Sequence, residues 1–364
     1  MPAIRSGLIT AFYLFDVAEE IDLAAVPGCV QAQTASARLA PKPVTPAYLQ
    51  YEAPAPLLLD GEAVQMGEVD GFRVRFKLFE YGVVSLALSR PFAGAWSELL
   101  AEGQRLVGSD GLERQARTLC ARLGERLAPA LKQPRGAPLS EDYVVFAATE
   151  LEEPRTADAL LDEHGDDIAH LLRGEREGLA RQERDEVLRN RLSYLADDLV
   201  VPTWNAAFVY DTEAGAQAAA EIFEFANSQL LEFRYYDDLL DNELERIYDG
   251  IEEPRWYDAF GRRYTRAANE LHALFIDVNE LTDKTENALK LVGDVYAARL
   301  YNLVTARLGL DRWKQNVAEK LKTLDDIYRY SVEQTQMTRG HFLELAIIAI
   351  LLFELLLFFM GIMK

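Results

Sequence analysis

An α+β fold is what the 364-residue sequence predicts: a mixed N-terminal α/β head, a long-helix bundle or coiled-coil stalk, and one C-terminal transmembrane helix. Three observations predict it. Phe72, Val74, Phe76 and Leu78 alternate with Arg73, Arg75 and Lys77, the period of a half-buried strand. From Ile222 onward apolar residues recur every three or four positions, the period of a long helix. From Phe342 to Met363 the chain is almost unbroken in its apolarity. As a helix that run would be about 33 Å long at ~1.5 Å per residue, enough to span a hydrocarbon core.

Bulk properties narrow the function classes. Apolar residues make up 49% of the chain, so a packed core is expected and global disorder is not. A net charge of −21 opposes a protein that coats nucleic acid, since phosphates are repelled over most of its surface. Cys29 and Cys120 form neither a metal spacing nor a disulfide framework, which suits a reducing compartment.

The head is expected over residues 1–212. Leu8–Phe15 reads as its first strand, and residues 24–56 form an Ala/Pro-rich connector. The basic strand Phe72–Leu78 turns at Tyr81-Gly82 into a second, more buried strand, Val83–Leu88. Helices follow near Ala93–Leu106 and Leu112–Leu127, then strands at Tyr143–Glu150 and Asn205–Tyr210. Between those strands, Arg173–Arg191 balances arginines with acids and reads as a solvated helix face.

Residues 213–340 are expected to be helical. Ile222, Ala226, Gln229/Leu230, Phe233, Leu240, Leu244 and Ile247 share one face of a first long helix. A second helix starts at Tyr257 and runs to about Leu281 or on towards Leu308, where Gly309 serves as C-cap and Asp311 as the next N-cap. From there Val317, Leu321, Leu324, Tyr328, Ser331, Thr335 and Thr338 step by four and three, a coiled-coil seam.

Residues 341–364 then read as a membrane anchor. Lys320, Lys322, Arg329 and Arg339 precede the span and only Lys364 follows it, which orients the folded part toward the cytoplasm at an inner membrane. Glu344 lies near the entry. Glu354 falls close to mid-bilayer, where a charge costs roughly 2.5–3.5 kcal/mol, so association with a second copy is the expected remedy.

Several blocks carry a family likeness together: EYGVVSLAL, LLEFRYYDDLLDNELERIYD, NALKLVGDVYAARLYNLVTARLGLDRW, EKLKTLDDIYRY and FLELAIIAILLFEL. With these the chain resembles the required-for-meiotic-nuclear-division family, the Rmd/YagE-type domain of unknown function. The resemblance implies a bacterial member of a family whose mitochondrial representative is a membrane-associated support factor for organelle translation. It supplies no catalytic residues to carry over.

Four constellations are candidates for chemistry or binding. Glu232, Arg234, Tyr235, Asp237 and Asp238 are the densest polar-aromatic group, a candidate partner surface in which Arg234 can pair with Asp237 or Asp238. Arg255, Arg262, Arg263 and Arg266 interleave with Trp256, Tyr257 and Tyr264, material for RNA stacking and phosphate contact. Asp283, Asn287 and Asp294 share a helix face, but one helix supplies too few oxygens for a hard cation. His164 and His170 are six apart, not the four of a helical zinc pair. With no phosphate loop or nucleophile elbow in the chain, the expectation is a non-enzymatic scaffold without cofactor or metal. It would hold a cytoplasmic protein at the membrane lipid and self-associate through stalk and anchor. An oligomeric conduit lined by Glu354, and a tethered RNA- or ribosome-contacting factor, are the alternatives.

Overall fold

The structure, a computed structural model, describes residues 3–30, 34–36, 55–62, 65–175, 177–252, 276, 278–279 and 295–359. In chain order the strands are β1 (Ile4–Asp16), β2 (Ala18–Ile21), β3 (Thr34–Ser36), β4 (Leu57–Asp60), β5 (Glu68–Val69), β6 (Phe72–Leu78), β7 (Val83–Gly94), β8 (Leu131–Pro134), β9 (Ser140–Leu151), β10 (Leu199–Pro202) and β11 (Ala206–Tyr210). The helices are α1 (Val26–Val30), α2 (Trp96–Leu106), α3 (Asp110–Leu127), α4 (Ala157–Arg173), α5 (Arg181–Arg189), α6 (Glu213–Glu252), α7 (Val295–Leu308) and α8 (Leu310–Phe359).

The mixed α+β class is present. A nine-stranded sheet runs β10-β11-β9-β1-β7-β6-β4-β3, with β5 added to β6, while β2 and β8 pair separately. All pairings are antiparallel except β11 with β9. From Ile9 onward the central strand β1 is buried on both faces, which is why ITAFYLF reads as a nearly continuous apolar run rather than an alternation. Ile9, Ala11, Tyr13 and Phe15 enter a core with Leu99, Leu106, Leu123, Leu160 and Leu172 from α2, α3 and α4. The opposite face receives α6, where Tyr143 of β9 stacks on Phe223 at 5.1 Å between ring centroids.

The β6–β7 turn needs its glycine. Gly82 has φ +92°, and a Cβ there would lie 1.8 Å from the backbone oxygen of Ala18. That close approach lets Val17 N donate to Gly82 O at 3.0 Å, joining the turn to the end of β1.

Contacts divide the chain into two units, one of Met1–Tyr235 with Asp283–Trp313, the other of Tyr236–Thr282 with Lys314–Lys364. In the first, α7 meets α6 through Tyr301, whose hydroxyl donates to Gln229 Oε1. In the second, Leu240, Val317, Leu321 and Leu324 are buried, as the apolar spacing predicts. Gly309 is left-handed at φ +67° and also receives the first amides of α8, Arg312 N at 3.0 Å and Trp313 N at 3.2 Å. Asp311, expected as the N-cap, therefore sits inside the first turn of α8, where its charge favours the helix dipole. The helix predicted from Tyr257 begins outside the described residues.

The membrane expectation is corrected. Among the described residues no helix is long and apolar enough to cross a membrane. The single C-terminal transmembrane helix, the tail anchor and the inner-membrane placement fall with that finding, and so does the conduit. The apolar run is the distal part of a 50-residue helix that carries many charges in its first half. Glu344 is exposed and Glu354 also lies in the helix, so two carboxyls interrupt the run. The side chain of Glu354 and residues 360–364 lie outside the described residues. Two of the four cations read as orienting signals have carboxylate partners: Lys320 reaches Asp237 at 2.7 Å and Asp241 at 2.6 Å, and Arg329 reaches Asp325 at 3.0 Å.

Candidate functional site

The densest buried polar arrangement among the described residues lies where α6 crosses the sheet. Glu224, Ser228, Glu232 and Tyr235 step by four, four and three, so they form one stripe of the helix. Beneath them the register aligns Lys77 with Ser85, Ser85 with Leu14 and Leu14 with Glu141, placing these four on one face of the sheet. Asp16, two residues beyond Leu14, points to the same face.

Ion pairs close this interface at three places. Lys77, 6% exposed, meets Glu224, 3% exposed. Arg135, from the segment after β8, meets the fully buried Asp16 and lies 4.0 Å from Glu232. The Arg135 guanidinium also sits 3.3 Å above the Tyr235 ring. Arg234 meets Glu141 of β9. A hydrogen bond of 2.7 Å between Tyr81 Oη and Ser228 Oγ adds a neutral contact.

These contacts settle where the predicted partner-surface residues stand. Glu232, Arg234 and Tyr235 face the sheet and its loops, while Asp237 pairs with Lys320 of α8. Arg234 does not take the short-range partners Asp237 or Asp238, because a carboxylate on β9 is already within reach of its long side chain. Lys320 is held protonated above its ordinary range: burial disfavours its charge, but the carboxylates of Asp237 and Asp241 outweigh that. Arg255, Arg262, Arg263 and Arg266 lie outside the described residues, as do Asp283, Asn287 and Asp294.

Sequence reading missed Lys77, Glu224, Asp16 and Arg135. Strict alternation puts Lys77 on the polar side of β6, and only the opposing Glu224 permits its burial. One signal was available: EIFEFANSQLLEF sets Glu224 and Glu232 eight apart with Ser228 midway between them, on one stripe of a helix rich in apolar residues.

Four other titratable groups are held by packing or hydrogen bonds within the body. His164 is buried, stacks on Trp96 at 4.2 Å and has Nδ1 2.8 Å from Asp167. His170 Nε2 accepts from Leu179 N at 3.5 Å. Tyr143 Oη donates to the carbonyls of Thr203 at 3.1 Å and Ala206 at 3.0 Å, and burial pushes its hydroxyl far above the ordinary range. Burial also pushes the Cys120 thiol up to about 12, which leaves it unreactive. Among the described residues no three His, Cys, Asp or Glu side chains come together to hold a metal ion.

Two adjoining cavities lie between α4 and α5. One, of ≈ 430 Å³, is lined by Asp166, His170, Gly178, Leu179, Arg181 and Arg184. The other, of ≈ 550 Å³, shares Asp166 and Arg184 and extends to Asp162 and Arg191. Their charges answer one another, Arg184 with Asp166 at 2.7 Å and Arg181 with Asp185 at 3.8 Å.

On the other face of the sheet, Asp142 of β9 is held above its ordinary range by burial first and by the Glu113 carboxylate second. A raised folded-state value means that the folded chain binds this proton more tightly than the unfolded chain. Stability therefore falls as pH rises from the ordinary aspartate value through the raised one. Asp142→Asn is expected to raise the melting temperature at pH 7 and to lose that advantage below the ordinary aspartate value. Melts across pH 3–8 measure it, and a variant no more stable than the parent at pH 7 refutes the assignment.

Comparison with known proteins locates the chain. A family described as the N-terminal domain of the uncharacterized protein MJ0711 matches residues 6–217, from β1 to the first turns of α6. The protein of that name from Methanocaldococcus jannaschii is 24% identical over 217 residues, 60% of this chain and 65% of the relative. The match thus spans just under two thirds of that relative's length. No solved structure matches.

Proposed function

We propose, for a chain that belongs to the family of the MJ0711 N-terminal domain, a non-enzymatic scaffold that gathers copies of itself through the distal part of α8 and presents its α+β body to a protein partner. One observation carries the reading. Ile347, Ile348, Ile350, Leu351, Leu352 and Phe353 are 52–62% exposed, a concentration of large apolar side chains that a lone chain leaves in water. The buried charges of the α6 stripe support the same reading, since their pairing holds a helix on a sheet rather than meeting a substrate. The Rmd-type resemblance of the later blocks points the same way, toward a support factor rather than a catalyst.

Self-association is testable with the full-length chain in detergent-free buffer. Light scattering after size-exclusion chromatography is expected to give a mass above the 41.0 kDa of one chain. Leu352→Arg, which continues the four-three spacing from Val317, should return the mass to one chain with unchanged helicity. A parent that elutes as a single chain overturns the reading.

A further inference from the structure

At the β10 edge of the sheet the strand register brings an exposed indole beside a group of guanidiniums. Leu192 pairs antiparallel with Val200: Leu192 N donates to Val200 O at 2.9 Å, and Val200 N donates to Leu192 O at 2.8 Å. The chain before Leu192 therefore runs along β10 toward the β10–β11 turn, which brings Asn190 alongside Pro202. Arg307 of α7 ties the same two segments together. Its Nε donates to Pro202 O at 3.5 Å and its Nη2 to Glu186 O at 3.2 Å. The end of α5 thus lies beside the turn that carries Trp204.

Trp204 is 65% exposed, on a turn whose backbone is held from several sides. Thr203 N donates to Ala206 O at 2.7 Å and Ala206 N donates to Thr203 Oγ1 at 3.1 Å, in addition to the two bonds from Tyr143 Oη. An indole on a fixed backbone has two side-chain torsions to lose on binding, a small cost for so large a contact area.

The charge beside it is positive. The side chain of Arg189 is 68% exposed, and Arg191 is exposed with Nη1 donating to Leu188 O at 2.9 Å. Glu186 reaches Arg189 at 2.8 Å and Arg307 at 3.4 Å, so the guanidiniums of Arg189, Arg191 and Arg307 share this one carboxylate. Four further acids line the cavity that Arg189 and Arg191 also border. Of these, Glu163 is held by Arg155 at 3.1 Å, and Asp166 and Asp185 by Arg184 at 2.7 Å and 3.3 Å. Counting the fourth, Asp162, against the group still leaves it positive, on a chain whose net charge is −21.

An indole face and adjacent guanidiniums answer the two parts of a nucleotide, the base by stacking and the phosphate by charge-assisted hydrogen bonds. A rigid duplex laid on this edge would carry its phosphates on past acidic surface, whereas a flexible single strand can confine its contact to the positive group. We propose that this edge binds single-stranded nucleic acid, one base stacking on Trp204 and neighbouring phosphates meeting Arg189 and Arg191. The contact is separate from the self-association of α8 and does not depend on it.

Fluorescence anisotropy of the full-length chain with labelled oligouridylate and oligothymidylate of about ten nucleotides tests it. Binding at low salt to either strand is expected, with Trp204→Ala weakening it about tenfold. Arg189→Gln combined with Arg191→Gln should also weaken it and flatten the salt dependence by about 1.4 in log K against log salt, the value for two phosphate contacts on a single strand. All three side chains are exposed, so thermal melts of these variants should match the parent. Binding that both variants retain at full strength overturns the proposal by placing the contact elsewhere. A parent that binds neither strand at low salt also overturns it, and leaves Trp204 to a protein partner.

Discussion

Arg135→Ala is expected to destabilise the chain by roughly 3–5 kcal/mol, the cost of leaving buried carboxylates without their cation. Asp16 is fully buried, Glu232 is 1% exposed, and both lie against this guanidinium. Removing it leaves Asp16 without the cation that faces it and takes away the contact over Tyr235. The denaturant midpoint measures the loss. Asp16→Asn added to Arg135→Ala should recover much of it, because an uncharged amide needs no counter-ion in that position. Arg135→Lys should fall between the parent and Arg135→Ala, since an ammonium keeps the charge but not the planar stacking on the ring. If Arg135→Ala melted with the parent, the ion pair would not hold α6 to the sheet.

Breaking the other buried pair from one side should have a comparable effect. Lys77→Ala leaves Glu224, 3% exposed, as a carboxylate without its ammonium inside the α6–sheet interface, and a loss of roughly 3–5 kcal/mol is expected. Replacing both partners, Lys77→Met with Glu224→Leu, should cost far less, because two apolar side chains of similar volume remove both desolvation penalties. The expected signature is a large coupling energy in the double-mutant cycle read from denaturant midpoints. Additive losses would mean that the two side chains do not depend on each other.

Much of the head was legible because its signals are local. β6 announced itself by alternation from Phe72 to Leu78, and the central strand β1 by an apolar run flanked by polar residues. The boundary at Gly309 was readable because few residues besides glycine accept a positive φ. The strand pair β2–β8 was not, since its two short segments lie more than a hundred residues apart and neither carries a strong pattern. Part of the polar stripe was also visible: Glu232, Arg234 and Tyr235 stood out as a dense group. Their partners did not, because Glu141, Arg135 and Asp16 are distant in sequence and a charge carries no mark of which opposite charge it will meet.

The terminal run shows the same limit from the other side. Hydropathy establishes that Ile347–Phe353 seeks an apolar environment, but lipid and neighbouring helices satisfy that demand equally well in kind.

By itself the amino-acid order determined the strand and helix periods, the turn that needs Gly82, the break at Gly309 and the presence of an apolar helix end. Each follows from the steric or hydrophobic preference of residues close together in the chain. Only the tertiary structure decided that Lys77 is buried, that Asp16 and Glu232 lie against one arginine, and that Arg234 turns to β9 rather than along its own helix. Those outcomes depend on which distant segments the sheet register brings within a few ångströms, and at that distance, away from water, an ion pair and an unpaired charge differ by several kcal/mol.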